Sequence, residues 1–487
     1  MDDARAKPPS VEGAASIRPR IAVLGGGPAG LGAAWRLAKE SKASVELFEA
    51  GARLGGNAGS FLEEGVSCDF GSHRLHPASD PAILADIKTL LGDDLLLRPR
   101  HGRIRLKNSW IHFPLKPVDL ATRLPTAFAA SLFIDAATAK LRAPKGDVET
   151  FGSVLLGGLG RTMCESFYFP YMKKLWGLGP DELAPTLAKR RVSGSSLPKL
   201  MRKIFASLPG LKSPTTGKFH YPRRGFGQIS ESIARAAEEA GAVIHLNARV
   251  ERVEISGNRV RSVTVKSGEK STTHSVDAVW STLPLTTLAK AAGDATPPAV
   301  ARAAESIRFR GMILVYLVLE TGQYTEFDAH YFPELAIPIS RLSEPKNYSA
   351  SIEPEGLTIL CAELPSDPGD RYWTMDDASL GRALYAWLGA AGLPQSAKIR
   401  RAFTRRLSHA YPVYDRDYEA HFATLDQWIG NVEGLLTFGR QGLFAHDNTH
   451  HALAMAYGAV DSLANGVFDK AKWARHREEF LTHVVED

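Results

Sequence analysis

Ile21–Leu24 is a short apolar run of strand composition that leads directly into Gly25-Gly26-Gly27-Pro28-Ala29-Gly30. A helical pattern continues to about Lys39, with Leu31, Ala34 and Ala38 on one face. A second strand pattern, Val45–Phe48, ends at Glu49. No other feature constrains the fold as much, because each glycine has a physical task. Gly25 permits the tight turn, Gly27 lets a pyrophosphate approach the backbone, and Gly30 lets helix and strand pack closely. Pro28 and Ala29 open the helix, whose free N–H groups and positive dipole end suit phosphate. Glu49 stands 19 residues after Gly30, where a carboxylate accepts ribose hydroxyls and repels a 2′-phosphate. Gly-x-Gly-x-x-Gly alone is a weak signal; flanked by strand, helix, strand and acid it reads as a dinucleotide site, and not one for NADP.

The residues after Glu49 favour FAD over NAD. Arg53, Gly55, Gly56 and Asn57 form a compact stretch that lets backbone and guanidinium crowd a second portion of a long cofactor. Then comes Cys68-Asp69-Phe70-Gly71-Ser72-His73-Arg74-Leu75-His76, whose histidines are otherwise ordinary loop residues.

At this point the chain resembles the flavoprotein superfamily of protoporphyrinogen oxidase, the amine oxidases and UDP-galactopyranose mutase. Over residues 20–465 the resemblance narrows to the mutase-like branch. Gly71-Ser72-His73-Arg74-Leu75-His76 resembles that branch's Gly-x-His-x-x-His loop beneath the flavin. Met172–Gly177 with Glu182-Leu183 resembles its Lys-x-Trp-Gly segment, and Ile337–Leu342 its strand with a diphosphate-binding arginine. Tyr411-Pro412-Val413-Tyr414 is similar to another shared element, and Phe438–Gly442 with His446–Leu453 to the closing flavin motif. The resemblance implies FAD, held by the residues above and by Gly71, Ser72, His73, Val250, Gly439, Arg440, His451, Ala452 and Leu453. It also implies a substrate pocket with His73, His76, Trp176, Arg341, Tyr411 and Tyr414 as catalytic candidates. One departure stands out: the Arg-Tyr pair common after the Gly-Arg turn is Ala445-His446 here, so UDP-sugar specificity does not carry over.

The implied fold class is α/β: a Rossmann-like FAD-binding domain, an inserted helical lobe and a second, mixed or antiparallel sheet that binds substrate. Residues 1–19 read as a flexible tail. The FAD-binding domain is expected in three pieces, 20–76, 219–294 and 430–487. Residues 77–218 carry long helical patterns and few strands, and form the lobe. Its aromatics, Phe167–Tyr171 among them, read as core more readily than as a substrate platform. Residues 295–429 form the substrate sheet, with Met312–Leu319 as a buried strand. Strand patterns also occur at 243–246, 250–253, 259–265, 277–284 and 434–440, and a helix from His450 to about Asn465. Gly225-x-Gly227 lacks a third glycine and is not a second dinucleotide site.

The 487 residues are 44% hydrophobic and 23% charged, which excludes wholesale disorder. Cys68, Cys164 and Cys361 are too scattered for a disulfide framework or a zinc knuckle. Acids near the N-terminus replace the basic start of a signal peptide, and no apolar run reaches about 18 residues, so a cytoplasmic location without a membrane partner is expected. The amphipathic stretch Val118–Leu141 is interrupted by Arg123, Pro125 and Asp135 and reads as a helical cover over a pocket. The net charge of +6 comes without a Lys/Arg block; it suits a small anionic substrate better than nucleic acid, and the resemblance implies one that is nucleotide- or sugar-linked. Oligomeric state is not legible.

Other catalytic equipment is sparse: there is no HExxH, GxSxG or Walker sequence. His446 and His450 stand four apart beside His451, but His446 precedes the helix start, so packing against the flavin is expected and no metal. A positive helix end there stabilises an anionic reduced flavin. No cysteine lies beyond Cys361, so a C-terminal thioether link is excluded. Arg341 offers a planar fork for phosphate or carboxylate; the other reading is an ion pair with Glu344 or Glu363. His73 either tunes the flavin and moves protons or is a backbone-bonded loop histidine. The leading expectation is an FAD-dependent oxidoreductase taking a hydride at flavin N5 from a sugar-like, nucleotide-linked or natural-product molecule. Electrons would leave to oxygen, a quinone or a protein. The alternatives are a redox-neutral sugar mutase of the UDP-galactopyranose type and a non-catalytic flavin-binding protein.

Overall fold

A strand that is apolar on both faces belongs inside a parallel sheet covered on both sides. In the computed structural model, which describes residues 18–77, 79–138, 149–191 and 217–485, that strand is β1 (Arg20–Leu24), and Ile21 through Leu24 are buried. The turn delivers the chain into α1 (Pro28–Lys39) and back to β2 (Ser44–Phe48), parallel to β1. The sheet has five parallel strands in the order Leu435–Thr437, Ala278–Ser281, β1, β2, Val243–His245. On one face, α1 packs with the helices Gln228–Glu239 and Thr449–Asp461 in a single core. On the other, Ala22, Leu24, Phe48 and Val279 join a core with the antiparallel strands Arg249–Ser256 and Arg259–Ser267.

A second sheet has seven strands, in the order Ile399–Pro412, Phe309–Leu319, Thr358–Pro365, Arg341–Ser343, Ala329–Tyr331, Gly102–Leu106, Ser109–Phe113. Its pairings are antiparallel except that Ala329–Tyr331 runs parallel to Gly102–Leu106. The run expected at Met312–Leu319 begins at Phe309, is flanked on both sides and is buried nearly throughout. The architecture is therefore a Rossmann-like parallel sheet, a mostly antiparallel second sheet and an inserted helical region.

Several boundaries differ from expectation. Residues 77–218 open with a helix, Pro81–Leu91, but strands follow it before the other helices. Leu95–Pro99 pairs with Lys218–Pro222, and the hairpin Gly102–Leu106/Ser109–Phe113 extends the second sheet. The alternation in Gly-Arg-Ile-Arg-Leu is the period-2 signal that carries this hairpin. Helices come next at Pro117–Thr122, Thr126–Thr138, Phe151–Leu159, Phe169–Trp176 and Pro185–Arg191. The stretch from Val118 is thus two helices parted around Pro125, and its end at Leu141 lies outside the described residues, as do residues 1–17 of the expected tail. The last parallel strand stops at Thr437, because Gly439 (φ +80°) starts a short helix, Gly439–Gly442. The helix expected to reach Asn465 ends at Asp461. Among the described residues no helix is long and apolar enough to cross a membrane.

The helical region is tied to the second sheet by one buried cation. Lys174, on the helix Phe169–Trp176, donates to the carbonyls of Glu334 and Ile337 at 2.7 Å and Ile339 at 3.0 Å, and also to that of Phe332. Removing the ammonium strands buried acceptors. Lys174→Met is expected to lower the unfolding free energy by about 3 kcal/mol, while the exposed neighbour change Lys173→Met stays within about 0.5 kcal/mol. Urea unfolding midpoints check this; equal midpoints for the two variants would remove Lys174 as the tie.

Candidate functional site

The turn after β1 is shaped by contacts that leave no room for side chains. Gly25 has φ +102°, and its N–H donates to the Phe48 carbonyl at 2.9 Å. A Cβ on Gly30 would lie 1.9 Å from the Gly25 carbonyl oxygen, so helix and strand can approach only through glycine. Gly27 is different: a Cβ there meets nothing within 4 Å, because it points into an open cleft. Gly27 caps α1 without a side-chain acceptor, which leaves the first N–H groups of the helix facing that space. Glu49 accepts from the Gly26 N–H and the Gly51 N–H, both at 2.8 Å, and sits on the cleft wall. Each carboxylate oxygen keeps a lone pair for a ribose hydroxyl. These features fit an adenine dinucleotide.

The cleft holds about 480 Å³, a size usual for small-molecule sites. It runs from the turn past Gly56, Asn57, Ser72 and His73 to Arg341, Tyr411 and Arg440, and ends at Asp447–Thr449, Ala452 and Val485. A separate groove of about 560 Å³ between Arg98 and Gly356 contains none of the motif residues.

Arg53 is placed differently from expectation. Its guanidinium lies 3.4 Å from the Phe70 ring centroid and donates to the Gly56 carbonyl at 3.0 Å. It braces the Gly55-Gly56 loop from behind and does not line the cleft. Gly55 (φ +97°) and Gly71 (φ +100°) shape the loops whose next residues reach the wall.

Glu363 is the hub of the substrate end. One oxygen accepts from the Ser72 N–H at 2.8 Å and from Arg341 Nε and Nη2 at 3.0 and 2.7 Å. Arg341 therefore forms the ion pair with Glu363 while still lining the cleft; Glu344 is turned away to the N–H groups of Tyr324 and Thr325. Arg74 lies alongside, donating to Tyr331 Oη at 3.1 Å, Asp328 at 3.2 Å and Tyr348 Oη at 3.0 Å. His73 Nε2 is 3.0 Å from the Phe70 carbonyl, and its ring packs on Phe226 at 5.3 Å. Burial pulls its imidazole below the ordinary value, against the opposing pull of Asp69, so it is neutral at neutral pH. Buried Asp69 is itself pushed up by desolvation, although Tyr221, Ser60 and the Phe226 N–H bond to it.

Trp176 and Tyr414 do not reach the cleft. Both are 1% exposed. Trp176 Nε1 donates to the Pro412 carbonyl at 3.0 Å; Tyr414 Oη donates to the Phe444 carbonyl and accepts from the His446 N–H, each at 2.9 Å. They hold the segments that present Tyr411 and His446, whose rings meet at 4.9 Å on the wall. His76 also lies off the wall, and its electrostatic neighbour is His450. Val250 packs against the core beneath the parallel sheet, and Leu453 is fully buried beside α1. His451 accepts from the Asn448 N–H at 3.3 Å and stacks on His483 at 4.2 Å, so of the closing triplet only Ala452 lines the cleft. Arg440 donates to the Ala410 carbonyl at 2.9 Å and covers the Tyr411 ring at 5.1 Å.

Sequence reasoning missed Arg74, Arg100, Arg406 and Asp447 on the wall, and named Glu363 only as a possible ion-pair partner of Arg341. Arg74 sits inside the Gly71–His76 motif and was findable there. Arg406 belongs to a long strand with many arginines, where nothing local marks the one facing the cleft.

The two glycines separate fold from ligand. Gly27→Ala is expected to leave the thermal midpoint unchanged and to weaken FAD retention at least about tenfold, or 1.4 kcal/mol. Gly30→Ala is expected to lower the midpoint itself. Flavin absorbance after gel filtration, together with thermal melts, checks both; full flavin retention by Gly27→Ala would take the phosphates away from this turn.

Among solved structures, that of reduced UDP-galactopyranose mutase superposes with a TM-score of 0.79 at 20% identity, covering 96% of this chain and all of that one. Cyclohexylamine oxidase from Brevibacterium oxydans gives 0.62 at 16% identity, covering 95% and 99%. Putrescine oxidase bound to putrescine gives 0.59 at 15% identity, covering 91% and 98%. These likenesses establish the shared fold. The family model described as flavin containing amine oxidoreductase matches residues 28–428, and with most of its length matched the chain belongs to that family.

Proposed function

We propose that the cleft holds FAD and that the protein catalyses a redox-neutral, mutase-type isomerisation of an anionic, nucleotide-linked sugar. The Gly25–Gly30 turn would hold the pyrophosphate and Glu49 the ribose. Gly56, Asn57 and the start of the helix Thr449–Asp461 would hold the rest. Bound flavin supplies an electron-rich centre when reduced.

The observation that carries this reading is the charge of the wall. Arg74, Arg100, Arg341, Arg406 and Arg440 face the cleft, against the acids Glu49, Glu363 and Asp447. An ammonium substrate would enter against five guanidiniums, whereas a diphosphate is drawn in. Arg341, held by Glu363 through Nε and Nη2, lines the cleft, where its remaining N–H groups could meet a phosphate oxygen. Neutral His73, with its Nε2–H donated to the Phe70 carbonyl, would keep a lone pair at Nδ1 that can accept one proton. The likeness to the mutase fold, higher than to the two amine oxidases, supports the same reading.

A second reading, hydride removal from a sugar-like or natural-product molecule, is favoured by one observation. Ala445 is buried and His446 takes the adjacent wall position, so the Arg-Tyr pair of the mutases is not reproduced.

The two separate in an anaerobic cuvette. The mutase reading expects activity only after dithionite reduction, with sugar isomers interconverting and no net reductant consumed. Bleaching of the oxidised flavin by substrate alone would overturn it in favour of hydride removal. Arg341→Lys keeps the charge and loses the fork; KM for the anionic substrate is expected to rise about tenfold with kcat little changed. Steady-state kinetics read this directly, and an unchanged KM would remove Arg341 from the binding face.

A further inference from the structure

Resting on the flavin reading above, we propose that residues 481–485, which follow the helix Lys470–Phe480, form a strap across the far end of the cleft. Val485 sets how far solutes reach the flavin from that side. Its side chain is buried and yet lines the cleft, at the end it shares with Asp447, Asn448 and Thr449. These residues lead into the helix Thr449–Asp461, where the flavin end of the cofactor would lie.

The strap is anchored to two separate parts of the molecule. His483 Nδ1 lies 3.0 Å from Asp447 Oδ2, and its ring stacks on His451 at 4.2 Å with 13° between the planes. Two residues on, the Val485 N–H donates to the Arg190 carbonyl at 3.1 Å, on the helix Pro185–Arg191 of the inserted helical region. A backbone held at both points must pass between them, and the side chain it sets on the wall there is Val485. The first anchor is itself fixed. The Asp447 side chain is 1% exposed, its carbonyl accepts from Arg440 Nη1 at 3.3 Å, and His451 Nδ1 accepts from the Asn448 N–H at 3.3 Å. His451 is thus a held platform on which the strap rests.

The chemistry of Val485 fits a cover and not a ligand contact. Its neighbours on this stretch of wall are polar or charged, and an isopropyl group offers nothing to a phosphate; it excludes water and bulk. The attachments are also few. Leu481 and Thr482 are exposed, and beyond the turn that leaves the helix the strap relies on the two hydrogen bonds, the ring contacts of His483 and the burial of Val485. Against the entropy of ordering the chain, such a segment opens more readily than the sheets beside it. A cofactor seated beneath it favours the closed strap, and the closed strap in turn retains the cofactor.

The test uses the full chain loaded with FAD and iodide as the probe, a small anion that quenches flavin fluorescence on contact. Shortening the chain to end at Thr482 is expected to raise the quenching constant at least about threefold. His483→Phe keeps a ring on His451 and loses the bond to Asp447, and should shift the constant in the same direction; Val485→Trp should lower it. Flavin content and thermal midpoint are read alongside. A second measurement needs no variant: hydrogen exchange in the peptide carrying residues 481–485 is expected to slow at least about threefold when FAD is added to the stripped protein. Unchanged quenching in a shortened chain that keeps its flavin, or exchange that FAD leaves unchanged, would overturn the strap and leave the cofactor reading standing. Failure of the unsubstituted protein to hold FAD would overturn both.

Discussion

The contact on which the molecule depends is the approach of α1 to β1 through Gly30 and Gly25. The space between them is smaller than a methyl group. That closeness aims the first turn of α1 across the sheet edge and leaves its N–H groups unused by protein. Everything farther along the cleft is placed relative to this corner. The Gly55-Gly56 loop touches Gly27, the Ser72–Arg74 loop leads from it to the second sheet, and Gly439 packs against Ala29 from the other side. Because the corner admits no side chain, it tolerates little adjustment, and the cleft inherits its rigidity.

The two sheets communicate through acids more than through apolar contact at this point. Glu363 joins the loop after the hairpin Ser60–Glu63/Val66–Asp69 to the arginine of the second sheet with a single oxygen. Asp69 plays a similar part for the loop and the Phe226 turn. Both carboxylates are buried and hydrogen-bonded by backbone N–H groups, so they act as fixed anchors more than as reactive groups. The arginines, with their forks partly occupied, are oriented before any ligand arrives, which lowers the ordering cost of binding.

Much of this was legible. The turn, its glycines and Glu49 could be read because nucleotide binding imposes local spacing on local sequence. Long-range partners could not. Glu344 and Glu363 were equal candidates to pair with Arg341, and only the register of neighbouring strands decides for Glu363. Arg53 was misread for the same reason: its partner Phe70 is a residue of the next loop, and the stacking that turns the guanidinium inward has no sequence period. Trp176 and Tyr414 were substrate candidates through the resemblance, yet backbone carbonyls take up their polar atoms. The hairpin Gly102–Phe113 was absorbed into a helical span because its few alternating residues were outweighed by the helices after it.

The parallel sheet has a consequence for birth on the ribosome. Its strand next to Ala278–Ser281, Leu435–Thr437, is made more than four hundred residues after β1. At roughly 5–20 residues per second, β1 waits on the order of 20–80 s for that neighbourhood to be complete. During the interval the nascent chain carries apolar strands with open edges. Translation of this chain is therefore a period of exposure that a shorter, locally connected fold would not face, and shelter by cellular folding helpers matters most before Leu435–Thr437 emerges.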